Sequence, residues 1–125
     1  MITFATATQP QRVAIRAAFN AAFDVAAHAQ ALYAELAKDT TLDPADEHNY
    51  VAAAEEAQRD LDLLQAKYAA YRQDSPLGQV SPPDAATIAA VQAITTELAA
   101  IIVAGNDAVD VLQLLTKTLN IIATL

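Results

Sequence analysis

Apolar residues recur at alternating steps of three and four along most of this chain, and this spacing restricts its fold more than any other feature. The pattern occupies three stretches, which the polar and proline-containing segments KDTTLDP and DSPLGQVSPP separate. Such a step places the apolar side chains along one side of an α-helix, as a seam that packs against neighbouring helices. The longest seam comprises Val91, Ile94, Leu98, Ile101, Gly105, Ala108, Leu112, Leu115, Leu119 and Ile122.

The starts of the three stretches carry residues that accept hydrogen bonds from the first turn of a helix. These candidate N-caps are Thr8, Asp43 and Ser81. A proline follows each of them within two residues, and proline is favoured in the first turn of a helix. Asp84 stands three residues after Ser81, the position of the reciprocal partner in a capping box. We therefore expect helices at about 9–38, 44–73 and 82–123.

The composition agrees with an all-α fold. The chain of 125 residues contains only 2 glycines and no cysteine, whereas sheets need many tight turns. Its length corresponds to one domain. Because the connections are short, neighbouring helices should run antiparallel. The sequence thus predicts a single domain, residues 1–125, folded as an up-and-down antiparallel bundle of three long helices with coiled-coil-like seams.

The stretch LAAIIVAGNDAVDVLQLL, residues 98–115, leaves an alternative open. Gly105 is a typical helix stop and Asp107 a typical helix cap, so a turn at Gly105–Asn106 would give a four-helix bundle. The apolar seam, however, continues across Gly105 without a change of step. A glycine inside a helix costs only about 1 kcal/mol relative to alanine. On register, we expect the third helix to be continuous.

A continuous third helix would extend beyond the other two. It would have about 40 residues, or ~60 Å, against ~45 Å for the others. The overhang would expose apolar residues that a soluble monomer rarely leaves in contact with water. This predicts a homo-oligomer, a dimer by preference, whose interface residues are Leu112, Leu115, Leu119 and Ile122.

The formal net charge of −8 limits the class of partner. It disfavours direct binding to nucleic acid and to anionic membranes. No uncharged apolar segment approaches the ~20 residues that span a bilayer, and the N-terminus lacks the pattern of a secretory signal. We expect a cytoplasmic protein. A basic protein could dock on an acidic face, for which solubility is the alternative explanation; its residues are Glu55, Glu56, Asp60 and Asp62.

Few residues suggest chemistry. Asp24, His28 and Glu35 fall on one side of the first helix and could bind a metal, but their spacing is not the Glu-x-x-His of di-iron bundles, and a solvated face explains them too. We therefore expect no enzyme activity, metal or cofactor. The sequence favours a non-enzymatic protein that acts through self-assembly or protein–protein interaction. The alternatives are a metal-binding bundle or enzyme using those three residues, and a membrane-active bundle using its apolar C-terminal helix.

Overall fold

Four α-helices form the bundle in the computed structural model, which describes residues 1–105 and 107–125. They are α1 (Gln9–Leu36), α2 (Pro44–Arg72), α3 (Ala85–Ala104) and α4 (Ala108–Ala123). One turn of 3-10 helix, Pro76–Gly78, follows α2. The all-α bundle predicted from the apolar spacing is confirmed.

The helix starts follow local capping chemistry. The Thr8 hydroxyl accepts a hydrogen bond from the Gln11 backbone N–H while the Gln11 side chain accepts one from the Thr8 N–H, and Asp43 caps α2 as expected. The prediction that Ser81 caps the next helix is wrong. Asp84 does so, accepting a hydrogen bond from the Thr87 N–H at 2.7 Å. The two prolines after Ser81 explain the shift, because a residue that precedes proline is disfavoured in helical conformation.

The prediction of a continuous third helix is wrong, and the four-helix alternative is confirmed. Helix α3 ends at Ala104, where Gly105 adopts a left-handed conformation with φ 110°. Helix α4 then begins at Ala108, with Asp107 as its N-cap. The Asp107 carboxylate accepts hydrogen bonds from the N–H groups of Val109 and Asp110 at 2.9 and 3.1 Å. Asn106 lies outside the described residues. The chain therefore reverses where both capping signals coincide.

The continuous register that favoured one long helix has a simple explanation. Two buried residues of α4, Leu115 and Ile122, belong to the predicted seam. The other three, Val111, Leu114 and Thr118, each precede a seam position by one residue. Leu112 and Leu119 are only partly buried. The leucine-rich sequence of α4 fits either register. The unbroken apolar spacing from α3 to α4 therefore does not distinguish one continuous helix from two helices.

Helix α1 lies at the centre and contacts the other three helices, whereas α2 contacts neither α3 nor α4 closely through its backbone. Large side chains of α1, Ile15, Phe19 and Val25, are fully buried. The alanines between them share the core, and small residues allow helix axes to approach closely. The core is consequently built around α1, with α2 on one side and α3 and α4 on the other.

The segment after the 3-10 turn joins the two ends of the chain. Ile2 and Val80 exchange backbone hydrogen bonds at 2.8 Å in both directions, as an isolated antiparallel bridge. The next residue, Ser81, donates its N–H to the carbonyl oxygen of Leu125. Gly78 is buried against the backbone of Ala70 and Tyr71, where a Cβ atom would overlap with main-chain atoms.

Candidate functional site

Helix α3 is the most apolar and least buried part of the bundle. Its 20 residues include one charged side chain, Glu97. Only Val91 and Ile94 are buried, and they lie on the side that faces α1 and α4. The rest of the helix therefore presents apolar surface to solvent.

The outer side of α3 is rich in alanine and exposes large aliphatic side chains at both ends. Ile88 is near the start, and Ile102 and Val103 are near the end, with 88 % of Val103 exposed. A groove of about 450 Å³ runs between α1 and the first half of α3. Pro10, Val13 and Ile88 line it, and none of its described lining residues is charged. We call this outer side of α3 and the adjoining groove the α3 surface.

The single charge of α3 lies beside this surface rather than in it. Glu97 accepts a hydrogen bond from the Lys117 ammonium group of α4, at 3.5 Å. Glu97 and Lys117 also line a small depression between α3 and α4, away from the groove on the α1 side. An exposed pair of this kind contributes little to stability, but it leaves the α3 surface without a formal charge.

Length and composition alone would also allow α3 to cross a bilayer. At ~1.5 Å per residue it is about 30 Å long, which matches the hydrocarbon thickness of a membrane. Core helices of soluble proteins can be equally long and apolar, but they are mostly buried. Only 11 % of the apolar stretch of α3 is buried. Burial in this chain's own core therefore does not account for the apolar composition of most of α3.

The four residues expected at a dimer interface lie elsewhere. Leu115 and Ile122 are buried in the chain's own core, and Leu119 packs against it. Leu112 and Leu119 line a small depression between α4 and α2, beside Ala57. The overhang on which the interface prediction rested is therefore absent from the described structure, because α4 folds back against α1.

The acidic residues expected to form a docking face are divided between two sides of α2. Glu55 and Asp62 are exposed, and Asp62 accepts a hydrogen bond from Gln58 at 3.0 Å. Glu56 borders the depression next to α4, and Asp60 follows it by one helical turn. Partial burial raises the pKa of Asp60, and the nearby Glu56 adds to the effect. The structure brings these four together in pairs rather than as one patch.

Asp24, His28 and Glu35 do not converge. In the part of the chain that the structure describes, no group of three or more His, Asp or Glu side chains is close enough to hold a metal ion. Asp24 is exposed, and Glu35 pairs with Lys38 at 3.2 Å. Their spacing along one helix places the three side chains too far apart to bind one metal ion.

Sequence reasoning missed the α3 surface because it assigned residues 82–123 to one helix. A signal was present, since residues 85–104 contain Glu97 as their only charge. No protein-family model matches the chain, and no match was found among curated proteins or solved structures. The functional argument therefore depends on the geometry of this molecule.

Proposed function

We propose that this protein acts without catalysis, by self-association, and that two copies pair through the α3 surface. The observation that carries this proposal is a 20-residue helix with a single charge whose outer side is exposed. Contiguous exposed apolar surface of this kind marks interaction sites, because a soluble monomer gains by covering it.

The distribution of charge supports a second copy as the occupant. A chain with a net charge of −8 repels its own copies over most of its surface. The α3 surface is free of formal charge, so two chains can approach there without placing like charges opposite each other. A basic partner, in contrast, would find no carboxylate on this surface to pair with.

The positions of the large side chains suit a two-fold axis. In an antiparallel pair of α3 helices, the end that carries Ile102 and Val103 lies over the beginning of the partner helix. That beginning holds Ile88 and the groove lined by Pro10 and Val13. Each chain thus offers a protruding side chain at one end and a groove at the other, as a self-complementary interface requires.

The available area is sufficient. The outer half of a 30 Å helix together with the adjoining groove presents on the order of 600 Å². A symmetric pair would bury about twice that, which is at the lower end of the range for specific interfaces. We therefore expect a reversible dimer rather than an obligate one.

A lipid bilayer suits this surface less well. Insertion of α3 would carry Glu97 into hydrocarbon, where a carboxylate is unfavourable by a few kcal/mol. The helix is also flanked by Asp84 and Asp107. Segments attracted to membranes are instead flanked by lysine and arginine.

The test replaces an exposed apolar residue inside the surface and another outside it. Val103→Glu places a charge in the proposed interface, and Leu63→Glu makes the same change at a position on α2 that is 70 % exposed. Sedimentation velocity over a range of concentrations should show a monomer–dimer equilibrium for the wild type and for Leu63→Glu, and a monomer for Val103→Glu. Circular dichroism should show unchanged helix content in both variants.

Two outcomes would overturn the proposal. One is a wild type that stays monomeric at the highest concentration reached. The other is a dimer that Val103→Glu leaves intact. A wild-type monomer that floats with phosphatidylcholine vesicles, with flotation lost in Val103→Glu, would assign the α3 surface to lipid instead of a second copy.

A further inference from the structure

A second cavity lies between α1, the end of α2 and the N-terminal segment, and its lining has an unusual charge. It holds about 260 Å³, and its described lining includes no acidic residue. Three of the four arginines in the chain line it: Arg12, Arg16 and Arg72. In an acidic protein, this clustering makes the cavity a local centre of positive charge.

Two of the three guanidinium groups lie over the Phe4 ring. The Arg12 guanidinium carbon lies 4.1 Å from the ring centroid and that of Arg72 lies 4.9 Å from it. Arg12 also donates from Nε to the Phe4 carbonyl oxygen at 2.8 Å. These contacts orient Arg12 and Arg72 but leave their terminal N–H donors available to a ligand.

In the part of the chain that the structure describes, no carboxylate lies within ion-pair distance of this cluster. Among the described residues, none of the three arginines forms an ion pair. Asp74 lies near Arg12, but its carboxylate accepts a hydrogen bond from the Ala5 N–H at 2.7 Å and is outside ion-pair distance of the guanidinium. The cavity thus has guanidinium donors and no protein anion to accept from them.

Tyr71 belongs to the same wall, but its hydroxyl lies beneath the surface of the cavity. The residue is 1 % exposed, and its buried hydroxyl has no hydrogen-bond partner within the described structure. Burial raises the pKa of Tyr71, and the neighbouring Tyr68 raises it further, so the phenol stays protonated at neutral pH. Tyr71 therefore adds no negative charge to the wall beside the arginines.

We infer that this cavity binds a small molecule in which a phosphate group is attached to a flat ring. The arginines suit the phosphate, because a guanidinium can donate two parallel hydrogen bonds to an oxyanion. The partly exposed rings of Phe4 and Tyr68 supply apolar surface beside the arginines, against which the ring of the ligand can pack. The volume is below the usual range for drug-sized ligands, so the molecule must be small.

Phenyl phosphate is a suitable probe, and isothermal titration calorimetry measures its binding directly. The test variant is Arg16→Gln combined with Arg72→Gln, because both residues are exposed and neither makes a described hydrogen bond to the fold. The matched control is Arg59→Gln, on α2 but outside the cavity lining. We expect saturable one-to-one binding to the wild type and to Arg59→Gln, and binding at least tenfold weaker in the double variant.

The probe set separates the two parts of the ligand. Inorganic phosphate should bind at least tenfold more weakly than phenyl phosphate, because it lacks the ring, and benzyl alcohol should show no saturable binding. Absence of saturable phenyl phosphate binding to the wild type would overturn the inference. Equal binding by the double variant would do the same. Equal affinity for inorganic phosphate would overturn the assignment of a ring.

Discussion

Gly105 holds the backbone conformation that separates α3 from α4. Its φ of 110° lies where residues with a Cβ atom are strained, although no described atom other than those of its two chain neighbours lies within 4 Å of the place a Cβ would occupy. Gly105→Ala should therefore lower the free energy of unfolding by about 1 kcal/mol through backbone strain alone. Urea denaturation of the wild type and the variant measures this difference.

The sign of that change is informative. In a continuous helix, alanine would be more stable than glycine by about 1 kcal/mol, so a stabilised variant would contradict the turn. Gly105→Asn is a useful comparison, because asparagine tolerates left-handed backbone better than alanine. Its decrease in the free energy of unfolding should be smaller than that of Gly105→Ala.

Gly78→Ala should destabilise by another mechanism, since the new Cβ would overlap with the backbone of α2.

Helix α3 depends on its cap more than the other helices do, because little of it is buried. The Asp84 carboxylate accepts its hydrogen bond from the Thr87 N–H, which lowers the pKa of Asp84. A lowered pKa means that the cap stabilises the fold above the unfolded pKa of about 3.9 and loses this effect as the pH falls through the folded pKa. Asp84→Ala should thus lower Tm at pH 7, and the difference from wild type should shrink in acid.

Thermal melts followed by circular dichroism at both pH values test this effect. Glu55→Gln provides the control, because it removes a carboxylate from an exposed face of α2 without removing a cap. A Tm difference between Asp84→Ala and wild type that grows towards low pH would show that the Asp84 interaction has been assigned the wrong sign.

The success of sequence reasoning differed among the helices for physical reasons. The starts of α1 and α2 were predictable because Thr8 and Asp43 act on N–H groups within three residues. The break at Gly105 was not, because two local capping signals competed with a seam that fits either arrangement. The exposure of α3 could not be predicted from local sequence pattern, because it depends on which helices pack around α1. The arginine-lined cavity was missed because its residues come from two distant stretches of the chain, 4–16 and 68–72.

The net charge of the protein gives its proposed self-association a characteristic response to salt. Two chains of charge −8 repel each other over distances that added salt shortens, since the Debye length falls from about 30 Å at 0.01 M to about 10 Å at 0.1 M. The α3 surface contains no ionic contact that salt could weaken. Dimerisation should therefore strengthen as sodium chloride is added, which sedimentation equilibrium can measure. Dissociation by salt would point to ionic contacts, such as those of the predicted acidic face.

Both chain ends are hydrogen-bonded to consecutive residues, so the two termini lie close together. Ile2 is bonded to Val80 and Leu125 to Ser81, so a few flexible residues should connect the termini without disturbing a helix. Among the described residues, the loop between α1 and α2 makes only local hydrogen bonds, around Asp39 and Thr41. Exposed loops of this kind tolerate new chain ends. A circular permutant that begins at Thr41 and ends at Thr40 should keep the helix content and cooperative melting of the parent. Loss of cooperative melting would instead show that the α1–α2 connection is needed to hold the bundle together.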